Sequence, residues 1–267
     1  MRPPTGPPYN GGAARPAALP PVNPTSPIVR RALVTGGSRG IGAAVCKRLA
    51  KAGHPVIVNY RRDAAAAAAV VDEITRAGGE AVAVAFDVAD GAATAAALKD
   101  LLKDPRPIGI VVNNAGVTAD AAFPGMKKEQ WDGVLQTTLG GFFHVTQPLV
   151  MPMVMQRWGR IVNMASLSAV RGNRGQANYA AAKAGLVGAT KTLALEVAKK
   201  GVTVNALAPG LIATEMIAGV PDQMVQQIPM QRLGTADEVA ALVAFLCTDE
   251  AGYITGQCIG IDGGFGV

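Results

Sequence analysis

From Ile28 onward the chain alternates between short continuous apolar runs and longer stretches with helical spacing. The runs Ala32–Thr35 (ALVT), Pro55–Tyr60 (PVIVNY), Ala81–Phe86 (AVAVAF), Ile108–Val112 (IGIVV), Arg160–Met164 (RIVNM), Val202–Leu207 (VTVNAL) and Cys258–Ile261 read as strands. Helices are expected over Ile41–Ala52, closed by Gly53, and over Ala64 to Arg76, stopped by Gly78 and Gly79. Further helices are expected over Ala92–Lys103 and Ala177–Ala198. Continuous runs, unlike alternating ones, mark strands buried on both faces, so the pattern predicts a parallel sheet covered by helices on each side. About 240 residues of it fit one doubly wound α/β domain over 28–267. A TIM barrel alternates in the same way at this size. The glycine-rich turn after the first strand decides for the doubly wound sheet.

Residues 1–27 break the pattern. They hold 9 of the 18 prolines and no periodic apolar positions, which predicts a disordered tail with polyproline II character outside the fold. Composition adds little else. Hydrophobic residues make up 49% of the 267, charged residues 16%, and aromatics only 4%. Mean hydropathy is +0.25. Such a chain can bury a sizeable core, and its Ala, Val and 32 Gly favour close helix–sheet packing. No run of 18 apolar residues exists, so no membrane span is expected; Ala64–Val71 is too short. The N-terminus lacks the apolar core of a secretory leader, which leads to a cytoplasmic expectation. Cys46, Cys247 and Cys258 are scattered and His54 and His144 lie apart, which argues against a zinc site or a disulfide framework. The net charge of +6 is dispersed, so it reads as solvated surface and not as a nucleic-acid footprint.

Three motifs carry chemistry. Thr35-Gly36-Gly37-Ser38-Arg39-Gly40-Ile41-Gly42 follows the first strand and opens a helix, where glycines admit a pyrophosphate and free amides meet it at a positive dipole end. This is a dinucleotide-binding, Rossmann-type arrangement. At the end of the second strand the chain reads Asn59-Tyr60-Arg61-Arg62, with no carboxylate before Asp63. An NAD enzyme places an acid there; arginines here and at Arg39 suit the 2′-phosphate of NADP(H). The second motif, Asn113-Asn114-Ala115-Gly116, follows the fourth strand; its small residues admit a cofactor and its asparagines can tie strands together. The third is Ser166 at a strand end, with Tyr179 and Lys183 one helical turn apart on one face. A phenol is a poor acid at neutral pH, and a neighbouring ammonium is expected to lower its pKa. Tyr179 then serves as acid/base group and Ser166 holds a substrate carbonyl, with Ser168 a rival for that role.

TGGSRGIG, NNAG, Ser166 with Tyr179-x-x-x-Lys183, and Asn205-Ala206-Leu207-Ala208-Pro209-Gly210 together resemble the short-chain dehydrogenase/reductase family, over Ile28–Val267. Gly172–Gly210 and the ending Tyr253-Ile254-Thr255-Gly256…Asp262-Gly263-Gly264 are most similar to its 3-oxoacyl-[acyl-carrier-protein] reductases. The resemblance implies a seven-stranded parallel sheet, a homotetramer, and hydride transfer from NADPH to a 3-keto carbon. It implies that Tyr179 donates the proton, that Lys183 binds the nicotinamide ribose, and that Ser166 polarises the carbonyl. Asp87 and Val88 are implied at the adenine, Asn114, Ala115 and Gly116 at the ribose and nicotinamide, and Ile212 and Thr214, after Pro209-Gly210, at the carboxamide.

One departure stands out. Where the family has a fourth catalytic residue, an asparagine holding a relay water, this chain has Thr138. Threonine keeps a donor and an acceptor on a shorter arm, so Thr138 is expected to support a modified relay. By the same resemblance Arg157 and Lys200 are docking candidates for an acidic acyl-carrier protein, although helix-end cations are also favoured by the macrodipole. The Met-rich stretch Met216–Met230 suits a lid over an acyl chain (around 211–230), or alternatively a buried subunit contact. The expected function is NADPH-dependent reduction of a 3-oxoacyl thioester in fatty-acid or polyketide-type synthesis. Acetoacetyl-CoA or another ketone as substrate, and a catalytically silent scaffold, are the alternatives.

Overall fold

Every residue of the first strand, Arg31–Val34 (β1), is buried, with Ala32 and Val34 facing one side of the sheet and Leu33 the other. That alternation repeats across the sheet and assigns the helices to two layers. In the computed structural model, which describes residues 29–217 and 219–267, the chain continues through α1 (Gly40–Lys51), β2 (Val56–Tyr60), α2 (Ala64–Arg76), β3 (Ala81–Ala85) and α3 (Gly91–Leu101). It then runs through β4 (Ile108–Asn113), α4 (Lys128–Leu135), α5 (Gly141–Gln156), β5 (Gly159–Met164), α6 (Ser168–Arg171) and α7 (Ala177–Val197). The last elements are β6 (Val202–Pro209), α8 (Asp222–Gln226), α9 (Ala236–Leu246) and β7 (Cys258–Ile261). The expected tail, 1–27, lies outside the described residues.

All strand pairings are parallel and the order is β3-β2-β1-β4-β5-β6-β7, the seven-stranded doubly wound sheet that the pattern predicts. One layer packs α1, α2 and α9 through Val45, Leu49, Val70, Ile74, Val239 and Val243. The other packs α3, α5 and α7 through Leu98, Val145, Leu149, Met153, Ala194 and Val197. From β1 the chain adds β2 and β3 on one side and then crosses back to place β4 on the other. In open α/β sheets a ligand crevice forms outside the carboxyl ends of the strands at that reversal.

Boundaries move by one or two residues from the expected ones, because helix ends are set by capping. Asp63 accepts from the Ala66 amide at 2.9 Å and starts α2; Asp90 accepts from Ala92 and Ala93 and starts α3. A single π turn, Gln136–Gly140, joins α4 to α5 and contains Thr138. Extra-residue turns of this kind recur at functional sites.

Candidate active site

Two adjoining cavities open at the carboxyl ends of the strands. The first, about 420 Å³, is floored by the glycine turn: Gly36, Ser38, Arg39, Gly40 and Ile41 line it. Asn59, Arg61, Asp87 and Val88 line its far end, and Asn114, Ala115 and Gly116 its near end. All twelve were expected at a cofactor. Gly36 and Gly40 adopt φ of 61° and 52°, which only glycine takes without strain. Helix α1 starts with no side-chain cap from Arg39 and no acid in its first turn, so its amides and dipole end are available to an anion.

Supporting contacts shape this turn. Asn114 donates from Nδ2 to the Thr35 and Gly36 carbonyls, at 2.9 and 3.1 Å, and Thr35 Oγ1 accepts from the Asn114 and Ala115 amides. The Asn59 side chain is buried; its Oδ1 accepts from the Gly36 amide and its Nδ2 donates to the Phe86 carbonyl. It therefore holds the turn in place more than it offers itself to a ligand. Asp63 reaches the cavity, but its carboxylate is committed to capping α2. Arg61 pairs with Asp87 at 3.5 Å and Arg39 with Glu215 at 3.6 Å, all on exposed side chains.

The second cavity, about 510 Å³, shares Ile41, Asn114, Gly116 and Thr214 with the first, so the two meet. Ser166, Tyr179 and Lys183 line it together with Pro209, Gly210, Ile212 and Thr214. Lys183 is wholly buried; its Nζ donates to the Met164 carbonyl at 2.5 Å and lies 5.5 Å from the Tyr179 ring centre. Loss of water pushes its pKa down to about 8. Burial raises the Tyr179 pKa above the ordinary phenol value; the Ser166 hydroxyl, as a hydrogen-bond donor, pulls it down, and the charge of Asp120 pushes it up. Here the sequence-based expectation of a phenol lowered by Lys183 is corrected. The ammonium is anchored to a backbone carbonyl, and desolvation outweighs the help from Ser166. Ser168 turns its Oγ to Gln176 and gives Ser166 Oγ only its amide, which leaves Ser166 as the hydroxyl beside Tyr179.

Behind this face lies a buried polar ladder. Asn113 Nδ2 donates to Thr146 Oγ1 and to Asn163 Oδ1, and Asn163 Nδ2 donates to Thr190 Oγ1, each at 2.8 Å. It ties β4 and β5 to α5 and α7, as expected of the first asparagine of NNAG. Asn178 was not singled out from the sequence. It is buried beside Tyr179, donates to the Ala119 and Gln130 carbonyls, and accepts from the Tyr179 amide, thereby fixing the start of α7. Asp120, Arg171, Arg174 and Gln176 also line the second cavity and were missed, since nothing in their spacing sets them apart from surface residues.

Two sets of expected residues lie elsewhere. Thr138 lines neither large cavity; it borders a space of about 10 Å³ with Thr35, Asn113, Thr137 and Leu186, a volume that admits one water. Its Oγ1 and Asn113 Oδ1 are buried without a hydrogen-bond partner among the described residues. Arg157 and Lys200 sit just before β5 and β6, about 20 Å along the strands from the cavities. The segment 211–230 forms one wall of the second cavity through Leu211, Ile217, Met224 and Gln227.

Residues 36–266 match the family model described as enoyl-(acyl carrier protein) reductase. The chain belongs to the short-chain dehydrogenase/reductase family. It is 44% identical over 239 residues to 3-oxoacyl-[acyl-carrier-protein] reductase FabG of Staphylococcus epidermidis, covering 88% of this chain and 98% of the relative. It is 48% identical over 235 residues to the 3-oxoacyl-[acyl-carrier-protein] reductase of a Synechocystis species, covering 87% and 95%. Among solved structures it is similar to a putative gluconate dehydrogenase from Agrobacterium tumefaciens, with a TM-score of 0.85, 32% identity and coverage of 88% and 95%. The chain is an oxidoreductase of this family. Among the described residues no helix is long and apolar enough to cross a membrane.

Proposed function

We propose that this chain reduces a 3-oxoacyl thioester carried on acyl-carrier protein to the 3-hydroxyacyl thioester, using NADP(H) in the cytoplasm. The observation that carries the reading is the junction of the two cavities, where Ser166, Tyr179 and Lys183 meet one end of the glycine-turn cavity. The names of curated relatives covering nearly their whole length support the substrate class. For the cofactor, the uncapped start of α1 suits a pyrophosphate. Arg39 and Arg61, with Asp63 occupied as a cap, favour a 2′-phosphate over a bare ribose. A bound nicotinamide nucleotide supplies the hydride. Tyr179 gives its proton to the oxygen of the ketone, which burial keeps available by raising the phenol pKa. Ser166 holds that oxygen, Lys183 would hold the nicotinamide ribose, and Thr138, through a water in its small cavity, supports the refilling of protons. The segment 211–230 closes over the acyl chain as a lid. Exposed Phe143, Met151 and Met155 on α5 and Leu195 on α7 support a homotetramer, to be checked by sedimentation mass.

The description of the matching family model favours a second reading, reduction of an enoyl thioester. Initial rates of NADPH oxidation with acetoacetyl- and crotonyl-carrier protein separate the two, with NADH alongside. The proposal expects turnover of the keto substrate with NADPH; turnover of the crotonyl substrate alone contradicts it.

A further inference from the structure

The sequence points to Arg157 and Lys200 as the cations that greet an anionic partner, yet they stand at the far end of the strands from the cavities. The rim of the second cavity carries different cations. Arg171, at the end of α6, and Arg174, three residues on, both line it with Tyr179 and Ser166. Among the described residues of that lining Asp120 is the one carboxylate, and its Oδ2 already accepts from Gln176 Nε2 at 2.9 Å.

The two arginines are presented by a built loop. Gly172 and Gly175 bracket Arg174 with φ of 72° and 82°, turning the chain sharply on each side of it. The loop is pinned by the Asn173 amide group, which donates to Gln176 Oε1 at 3.0 Å, and by the Gly175 carbonyl, which accepts from the Ala121 amide at 2.9 Å. Arg171 is held against the wall: its Nη1 donates to the Phe265 carbonyl at 2.8 Å, and its guanidinium stacks 4.7 Å from the Phe265 ring centre. Among the described residues its remaining N–H groups meet no other acceptor. Arg174 is exposed and makes no ion pair or side-chain hydrogen bond among the described residues. Leu211, Ile217 and Met224, on the 211–230 segment, give the cavity an apolar wall beside Gln227. The cavity therefore has an apolar wall, a reducing end at Tyr179 and a cationic rim.

We propose that Arg171 and Arg174 form an anion subsite that takes the phosphate of the substrate's phosphopantetheine arm. The thioester is thereby anchored at its charged end while the keto carbon reaches Tyr179. This rests on the 3-oxoacyl-thioester reading above. A guanidinium pair on a phosphate makes charge-assisted hydrogen bonds, and a rim position lets the arm's apolar part lie along the wall. The subsite is independent of carrier-protein docking, because it reads the arm and not the protein.

Two substrates that differ by one phosphate test it: acetoacetyl-4′-phosphopantetheine and acetoacetyl-pantetheine, each reduced with NADPH by the wild type, Arg174→Gln and Arg171→Gln/Arg174→Gln. The subsite predicts a KM about tenfold lower for the phosphorylated thioester in the wild type, at similar kcat, with the advantage shrinking as salt is raised. The double variant should lose that advantage while keeping its KM for acetoacetyl-pantetheine. Reduction of both thioesters with equal KM by the wild type would overturn the subsite alone. So would an advantage that persists in the double variant, or a loss that falls equally on both substrates. Reduction of neither thioester by the wild type, with a free keto acid turned over instead, would overturn the thioester reading beneath it.

Discussion

Lys183 lies wholly inside the protein, with its Nζ on the Met164 carbonyl and its pKa pushed down to about 8 by burial. An unfolded lysine keeps a pKa near 10.4. Between pH 8 and about 10.5 the unfolded chain therefore binds more protons than the folded one, and this residue's contribution to stability rises with pH across that window. Below pH 8 the buried charge is a standing cost. Lys183→Met should accordingly unfold at a higher temperature than the wild type at pH 7, by about 1–3 kcal/mol in stability, with the gap closing toward pH 10.5. Calorimetry at the two pH values checks this; an unchanged or lower Tm at pH 7 contradicts it. Thr138 makes a second case, since its hydroxyl is buried with no partner among the described residues. Thr138→Val removes that hydroxyl at nearly constant shape, so it should leave stability unchanged or raise it by up to about 1–3 kcal/mol. If Thr138 carries the relay, the same variant loses turnover several-fold at unchanged NADPH affinity. Full turnover removes Thr138 from the mechanism.

At the scale of elements, the glycine turn shows why some of the site was legible. Gly42 faces the chain itself: a Cβ there would meet the Gly36 carbonyl oxygen, and would come within 2.6 Å of Asn114 Nδ2. The spacing of the glycines thus encodes close approach within the turn as well as toward a ligand. Gly42→Ala should open that packing, costing about 1–3 kcal/mol and weakening NADPH binding together. Thermal unfolding and fluorescence titration read the two effects, and retention of both would show that the turn tolerates the methyl. The strands were legible because parallel strands buried on both faces read as unbroken apolar runs. The region between β4 and β5 was not. Helix α5 runs through Pro148 and Pro152, residues that sequence reading treats as breaks, and the π turn before it has no composition signature. That Tyr179 and Lys183 share one face of α7 was legible from one helical turn of spacing. Asn178, which fixes that turn to the Ala119 and Gln130 carbonyls, looks in sequence like any polar residue.

On the scale of the whole molecule, the parallel sheet gives the protein two chemically distinct ends. Ser166 follows β5 and Pro209 ends β6 at the cavity end, whereas Arg157 and Lys200 precede the same strands at the other. Residues nine apart in sequence are thus separated by the length of a strand, which no local pattern announces. Resemblance singled out Arg157 and Lys200, and only the topology shows which end of the strands they occupy. The same topology gathers Gly36, Asn114, Ser166, Tyr179 and Pro209 from five separate segments into two adjoining cavities. On the proposed function, this gathering makes Tyr179 the proton donor in reduction of a 3-oxoacyl thioester. The most direct measurement is single-turnover reduction of acetoacetyl-carrier protein by NADPH in the wild type and in Tyr179→Phe, with NADPH affinity measured by fluorescence in both. The account predicts a loss of about 10²–10⁴-fold in rate at unchanged affinity, the scale of a lost general acid. A Tyr179→Phe variant that reduces the thioester within a few-fold of the wild-type rate would contradict it.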